Sequence, residues 1–351
     1  MKYSLLDHFS VIEPCISSSL IDKARVDSVK KLCALFPFDI ADDFGFESRL
    51  GNREAFCDFA MQITKGSKGA LILAAKSPIA SIANLLTEDP FWKNISRLFA
   101  IWANPELILS KMVTAFWLEF DWQKASYNLI PNIFFELKNE NHATRLTHWQ
   151  SVHQVLDVIY NTLFNIPFPS DLAATLNSCI INLPDKARLY QIGFMVPRKT
   201  EGVRLVISRL NPETCFDYLQ KISWPGEEDI IRDQVSLFSG KFDSIMYNIN
   251  IGSEVLPYLG LELFLNELKR PACSPQHIEV LDFLASQSLL LESKKEGLIR
   301  FCGRKTASYF YPVFYLNGIN HFKYVYKKNA PPELKGYFGT MIRNKIDKIK
   351  S

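Results

Sequence analysis

The chain has 351 residues, of which 48% are hydrophobic and 22% charged, and its formal net charge is only +3. This composition allows a sizeable buried core and argues against extensive disorder. The near-neutral charge gives no support for a nucleic-acid or membrane surface. Seven cysteines without zinc-site spacing favour reduced thiols in a cytoplasmic protein. We expect neither an export signal nor a transmembrane helix.

The first part of the chain predicts a helix, a β-hairpin and two further helices. Helical apolar spacing covers 17–35, with serines at its start as candidate N-caps. Alternation of apolar and polar residues then predicts a first hairpin near 44–63. The GSKG sequence at 66–69 ends its second strand, and helices over 71–86 and 91–103 follow.

The second hairpin, near 114–137, carries an unusual polar face. Its apolar face is rich in phenylalanine, leucine and isoleucine, as expected for a half-buried antiparallel strand. The opposite face contains Trp117, Glu119, Asp121, Asn132, Phe134 and Glu136. Three carboxylates on one face indicate either exposure to bulk water or a polar cavity.

Two more helix pairs follow the second hairpin. The first pair covers 143–164 and 170–181, and it leads into a third hairpin near 189–210. The second pair covers 212–222 and 227–238. Asn-Pro at the start of the 212–222 segment is typical of a capped helix N-terminus.

The last part of the chain repeats this order once more. A fourth hairpin near 244–264 is followed by helices over 278–290 and 293–302. A fifth hairpin near 319–342 completes the series, and the lysine-rich residues 345–351 are expected to form a solvated tail or helix end.

Five hairpins therefore alternate with helices at a spacing of roughly 60 to 75 residues, which indicates an internal structural repeat. Each hairpin has one apolar face that helices must cover. The simplest arrangement is an α+β fold in which ten strands close into one antiparallel barrel inside a ring of helices. We expect one domain over 1–351, with the polar faces pointing into a lumen that can hold a small ligand.

This repeat order resembles the αββα barrel of the aromatic and peptide prenyltransferases, the ABBA or PT-barrel class. The resemblance covers about residues 17–343 and rests on the order and facing of the elements, without a sequence motif. It implies transfer of an isoprenyl group from dimethylallyl or geranyl diphosphate to an aromatic small molecule or a peptide, in natural product or ribosomal-peptide biosynthesis. It implies no required cofactor, with Mg²⁺ accompanying the diphosphate as an alternative.

The predicted inward side chains suit this chemistry, with an acidic wall on the early hairpins and a basic wall on the later ones. Cationic groups stabilise a leaving diphosphate. The predicted diphosphate ligands are Arg49, Arg204, Lys323, Lys327 and Lys335. The predicted cation-shielding and acceptor-pocket residues are Trp117, Phe134, Tyr337, Gln191 and Asn248. The predicted catalytic carboxylates are Glu47, Asp58 and Glu119. Glu47 resembles the acceptor-binding glutamate of the fungal enzymes.

Other interpretations of these residues stay open. Arg49 could pair with Glu47, Arg204 could pair with Glu262, and the strand lysines could simply be solvated. The histidines lack HxxxH or HExxH spacing, so no metal site is predicted. Nucleotide-binding, nucleophile-elbow and DDxxD motifs are absent from the sequence. The alternatives to a transferase are a non-catalytic barrel that binds a peptide or small ligand, and an unrelated tailoring enzyme.

Overall fold

The computed structural model describes most of the chain. The described residues are 3–76, 80–123, 126–138, 144–198, 202–265, 273–309 and 312–344. Outside these ranges lie the predicted tail at 345–351, residues 77–79 of the helix predicted over 71–86, the first residue of the helix predicted over 143–164, and residues 199–201 in the turn of the third hairpin.

Helices form the outer layer. The α-helices are α1 Leu5–Ile12, α2 Lys23–Leu35, α3 Lys68–Leu73, α4 Ala80–Glu88, α5 Pro90–Trp102, α6 Ile108–Met112, α7 Arg145–Phe164, α8 Ser170–Ile181, α9 Pro212–Lys221, α10 Glu228–Ser239, α11 Pro275–Ser286 and α12 Glu292–Phe301. Short 3₁₀ turns cover Glu13–Cys15 and Val196–Arg198. Within the described ranges, none of these helices combines the length and apolar character needed to cross a membrane.

Strands form the inner layer. They are β1 Asp43–Arg49, β2 Cys57–Thr64, β3 Val113–Phe120, β4 Trp122–Gln123, β5 Ser126–Tyr127, β6 Asn132–Leu137, β7 Arg188–Phe194, β8 Val203–Ser208, β9 Ser244–Ile251, β10 Val255–Phe264, β11 Gly303–Ser308, β12 Pro312–Lys327 and β13 Glu333–Asn344.

Ten of these strands close into an antiparallel barrel, as predicted. The order around it is β1, β2, β3, β6, β7, β8, β9, β10, β12 and β13, and β13 pairs again with β1. Strand β11 pairs only with the first part of β12, and β4 pairs with β5 in a separate small sheet. The five predicted hairpins thus supply the ten strands of the barrel, two strands from each hairpin.

The alternation along each strand explains why the barrel has two different faces. On β3, the outward residues Phe116, Leu118 and Phe120 are completely buried beneath the helices. Trp92 of α5 stacks on Phe120, with 6.4 Å between ring centroids. The residues of opposite parity point inward, and most of the inward positions near the centre are polar or aromatic. The core therefore lies between the sheet and the helix ring, and the site lies inside the sheet.

The first part of the chain differs from prediction. Helix α1 was not predicted, and α2 begins at Lys23 and not within the serine run. The N-cap of α2 is Asp22, whose side chain accepts a hydrogen bond from the Arg25 backbone N–H at 2.9 Å. Asp and Ser are comparable N-caps, so helical spacing alone could not locate the start.

Later boundaries and two short elements also differ from prediction. The helix predicted over 71–86 is two helices, α3 and α4, and α3 already starts inside the predicted breaker, with Ser67 as its cap. Helix α6 was missed. Strand β12 begins at Pro312 instead of residue 319, and its partner β11 was missed because GRKTAS is mostly exposed and shows no apolar alternation.

Two glycines test the packing of α3 against the segment that precedes β1. A Cβ at Gly69 in α3 would lie 1.9 Å from the carbonyl oxygen of Ile40, whereas a Cβ at Gly240 would meet no atom within 4 Å. We expect Gly69→Ala to lower the free energy of unfolding by about 1–3 kcal/mol, because backbone must move. Gly240→Ala, the control, should change it by less than about 0.5 kcal/mol. Urea denaturation measures both, and equal midpoints would contradict the close packing.

Candidate functional site

Three cationic side chains from different strands meet around Tyr258 inside the barrel. They are Arg204 on β8, Lys323 on β12 and Lys335 on β13, and the Arg204 guanidinium carbon lies 5.0 Å from the Tyr258 ring centroid. Gly260 leaves room for this cluster, because a Cβ there would lie 2.6 Å from Cε of Lys323. Burial alone would raise the pKa of Tyr258, but the three cations outweigh burial and lower it.

Both lysines are neutralised by carboxylates. Lys335 donates a hydrogen bond to Glu47, and Nζ of Lys323 lies 3.4 Å from Oε1 of Glu262 while also donating to Asn248. Burial alone would raise the pKa of Glu262, but Lys323 lowers it below its ordinary value. Burial alone would lower the pKa of Lys335, but Glu47 raises it. Both ion pairs are therefore held in their charged forms.

Arg204 has no such carboxylate among the described residues. Its Nε donates a hydrogen bond of 2.9 Å to Oδ1 of Asn250, a neutral amide, and the residue is only 9% exposed. The cluster of three cations and the two carboxylates Glu47 and Glu262 therefore carries a net charge of +1. A buried cation without a counter-charge is costly, so this part of the lumen favours an anionic ligand.

Aromatic rings line the lumen beside Glu47. Tyr337 donates a hydrogen bond to Glu47, and the His321 ring stacks on Tyr337 at 4.1 Å and on Phe264 at 4.8 Å between ring centroids. Neither ring nitrogen of His321 has a hydrogen-bond partner within the described part of the chain. Burial lowers the pKa of His321 to about 4, so the ring is neutral at pH 7.

A group of carboxylates lies on the neighbouring strands. Oxygen atoms of Asp58, Glu119 and Asp121 lie within 4.8 Å of one another. Asn132, which is fully buried, donates to Glu119 at 3.2 Å and to Asp121 at 2.9 Å, and Asp58 accepts from the Trp122 backbone N–H at 2.8 Å. Burial raises the pKa of Asp58 well above its ordinary value, and the nearby carboxylates raise it further.

Carboxylate oxygens are the ligands that Mg²⁺ and Ca²⁺ prefer. Of the described residues, these three form the acidic group whose spacing could hold a divalent cation. Their hydrogen bonds to Asn132 and Trp122 also satisfy part of their acceptor capacity without a cation. The expectation that no metal is required stays a prediction.

Three of the five predicted acceptor-pocket residues, Trp117, Phe134 and Gln191, lie near Glu136. Nε1 of Trp117 donates to Oε1 of Glu136 at 2.8 Å, and Gln191 lies opposite Glu136 in the strand register. Phe134 lies against Gly193, where a Cβ would come within 2.3 Å of its ring. These residues form a second aromatic part of the lumen wall, and Tyr337 and Asn248 belong to the cation cluster instead.

Two predicted diphosphate ligands do not join the three cations. Arg49 forms an ion pair of 2.7 Å with Glu333 and lies 4.7 Å from the Phe56 ring centroid. Lys327, at the end of β12, is exposed. The alternation along each strand predicted the correct face for both residues. It could not predict that both residues lie near the end of the barrel.

Two further differences concern pairing. The ion pair of Arg204 with Glu262, which the sequence left open, is not formed. Arg204 donates a hydrogen bond to Asn250, and Glu262 forms its ion pair with Lys323. The expected separation into an acidic and a basic wall holds only in part, because Glu47 and Glu262 lie among the cations. Tyr258 was missed, although it has the same parity on β10 as Gly260 and Glu262.

A closed ten-stranded antiparallel barrel with a polar lumen and an outer ring of helices defines the PT-barrel, or ABBA, fold. Solved structures confirm this fold. The chain is similar to AnaPT from Neosartorya fischeri, with a TM-score of 0.51 and 13% sequence identity. The similarity covers 89% of this chain and 85% of AnaPT. The chain is also similar to 5-dimethylallyltryptophan synthase from Streptomyces coelicolor, with a TM-score of 0.53 and 11% sequence identity. This similarity covers 95% of this chain and 97% of the synthase.

A third similar structure is the prenyltransferase PriB, which covers 96% of each chain with a TM-score of 0.54 and 10% identity. Comparisons with protein-family models and with curated proteins gave no match. At these identities the similarity establishes the fold alone.

The neutral His321 ring predicts a pH dependence of stability. Unfolded histidine takes up a proton near pH 6.5, whereas burial holds the pKa of native His321 at about 4. Its contribution to stability is therefore complete above pH 6.5 and is lost as the pH falls toward 4. Both the wild type and His321→Phe should become less stable when the pH is lowered from 7 to 4.5. In His321→Phe, which keeps the ring stack, the free energy of unfolding should fall by roughly 2 kcal/mol less than in the wild type.

Urea denaturation at a series of pH values measures this difference. His153→Phe, at a partly exposed position of α7, is the control, and its pH dependence should stay close to that of the wild type. Burial also lowers the pKa of His8 to about 4, so part of the acid loss should remain in the His321 variant. Parallel curves for wild type and His321→Phe would contradict the neutral buried ring.

Proposed function

We propose that this chain is a prenyltransferase that moves an isoprenyl group from an allylic diphosphate to an aromatic or peptidic acceptor inside the barrel. The observation that carries the proposal is the buried Arg204, whose partner is neutral, beside Lys323 and Lys335 in the lumen. The similar structures support it: one is described as a complex with DMASPP and Trp, and another as a complex with product diphosphate.

The cation cluster would bind the diphosphate and stabilise its charge. When the bond between the allylic carbon and the diphosphate oxygen breaks, negative charge develops on the leaving group. Arg204 supplies forked donors, and the two lysines supply point charges from neighbouring strands. The Tyr258 hydroxyl lies among them as a further donor.

Glu47 would orient the acceptor and receive its proton. The acceptor attacks the allylic carbon, a new bond to that carbon forms, and the proton that the acceptor loses passes to a carboxylate. Glu47 lies between Lys335 and Tyr337, beside the cation cluster. The rings of Tyr337 and His321 present faces that stabilise an allylic cation. Asp58 and Glu119 are the alternative bases.

The remaining parts of this proposal concern the setting of the reaction. We include a cytoplasmic location, a role in natural product or ribosomal-peptide biosynthesis, and dimethylallyl or geranyl diphosphate as the donor. No resident cofactor is part of the proposal. If Mg²⁺ accompanies the diphosphate, Asp58, Glu119 and Asp121 are the residues that would hold it.

Donor binding is the first test. We expect geranyl S-thiolodiphosphate, which is unreactive, to bind the wild type in isothermal titration. Arg204→Gln should weaken binding roughly 10- to 100-fold, because a charged hydrogen bond is worth about 1.5–3 kcal/mol. Lys327→Gln is the matched control and should change affinity less than about twofold, since Lys327 is exposed at the strand end.

Two outcomes would count against this assignment. If the wild type does not bind the thiolodiphosphate, the transferase proposal fails and a peptide-binding barrel becomes the better hypothesis. If Lys327→Gln weakens binding as much as Arg204→Gln, the diphosphate lies at the end of the barrel and not in the lumen.

The role of Glu47 is tested by separating transfer from donor binding. With dimethylallyl diphosphate and a panel of tryptophan, indole and phenolic acceptors, we expect Glu47→Gln to lower the rate of product formation about 100-fold or more. Thiolodiphosphate affinity should change far less. Glu279→Gln, on the exposed face of α11, is the control. Unchanged turnover in Glu47→Gln would transfer the role to Asp58 or Glu119.

A further inference from the structure

A cavity lies at one rim of the barrel. It has a volume of about 1070 Å³ and opens where β6 and β8 end and where β7 and β9 begin. Its walls are partly apolar, including Leu137, Leu189, Phe242 and Met246. A cavity of this size exceeds most small-molecule pockets, which range from roughly 300 to 1000 Å³.

A β-bulge turns an arginine into this rim. Leu189 pairs with Ile207 and Gln191 pairs with Val206, so Tyr190 is an extra residue on β7. The extra residue reverses the alternation, and Arg188 pairs with Ser208. Because Ser208 has the parity of Arg204 on β8, Arg188 lies on the inward face.

Two arginines, Arg188 and Arg209, line the cavity and form no ion pair with a carboxylate in the described part of the chain. Nη1 of Arg188 is buried and has no hydrogen-bond partner, and over the described ranges Arg209 likewise forms no hydrogen bond or ion pair. Arg209 directly follows β8 and has a φ of +57°, a left-handed conformation that is uncommon for a side chain of this size. Two guanidinium groups that line one cavity, without a carboxylate partner among the described residues, favour an anionic ligand.

Other polar and charged groups also line the cavity. Arg145 donates to the backbone carbonyls of Asp185 and Ala187, at 3.1 and 3.0 Å. The Asp185 carboxylate acts on Arg145. The N-terminus of α9 also lines the cavity at Asn211, and a helix N-terminus adds positive potential.

We propose that this cavity binds the acceptor by a carboxylate, and that the acceptor is an apolar, peptide-sized molecule. Arg188 and Arg209 would form forked hydrogen bonds with the carboxylate, and the leucine and phenylalanine side chains would contact its apolar part. Met246 lines the cavity and pairs with Glu262, the partner of Lys323, so a bound ligand reaches toward the cation cluster. The identification of the ligand as acceptor rests on the proposed transferase function.

The experiment compares one peptide in two charge states. The probes are N-acetyl-leucyl-leucyl-tyrosine as the free acid and as its C-terminal amide, and affinity is measured by isothermal titration. We expect the acid to bind at least about tenfold more tightly to the wild type. Arg188→Gln and, separately, Arg209→Gln should reduce this preference to less than about threefold. Lys186→Gln removes a charge from the same loop outside the cavity and is the matched control.

The outcomes separate this proposal from the transferase assignment. Equal affinity for acid and amide, no binding of either at about 1 mM, or an equal loss in Lys186→Gln would overturn it. Geranyl S-thiolodiphosphate should bind Arg188→Gln as it binds the wild type. A selective loss of its binding in this variant would mean that the cavity holds the donor, and would also overturn the proposal.

A wild type that keeps the acid preference but does not bind thiolodiphosphate would reject the transferase function alone. Arg209 is exposed, so its variant tests the proposal even if Arg188→Gln is unstable.

Discussion

Charged side chains enclosed by the barrel need partners, and this constraint shapes the whole site. The alternation that presents Phe116 and Phe120 to the helices also turns the opposite residues of each strand inward. Once inside, ionised groups have lost much of their hydration and are stable only when they are paired. The pair of Lys335 with Glu47 meets this need between β13 and β1, and the pair of Lys323 with Glu262 meets it between β12 and β10.

Incomplete pairing marks the places where a ligand would complete the structure. Arg204 has an amide in place of a carboxylate, and Arg188 has a buried nitrogen without any partner in the described part of the chain. Asp58 has an excess of negative charge around it. Burial and its carboxylate neighbours raise its pKa. Perturbed or unpaired buried groups often mark functional sites, since their cost is otherwise uncompensated. The lumen and the rim cavity are therefore two parts of one polar interior.

Prediction succeeded where one local period decided the outcome. The five hairpins and the inward face of Glu47, Lys323 and Tyr337 follow from residues close together in the chain. It failed where the local signal was weak. Strand β11 is polar and exposed, and it forms because β12 extends beyond the barrel and offers an edge. The bulge at Tyr190 was invisible for the same reason, so Arg188 was not recognised as inward.

The sequence by itself determined that alternating strands would bury one face beneath helices and turn a polar face inward, because side-chain direction in a strand depends only on position. Only the tertiary structure decided which charges meet. Arg204 and Lys323 are more than a hundred residues apart, and their shared environment at Tyr258 exists because β8, β9, β10 and β12 are neighbours in the closed sheet. Position along the barrel axis also separated Lys327 and Arg49 from the cluster, since strand parity contains no information about depth.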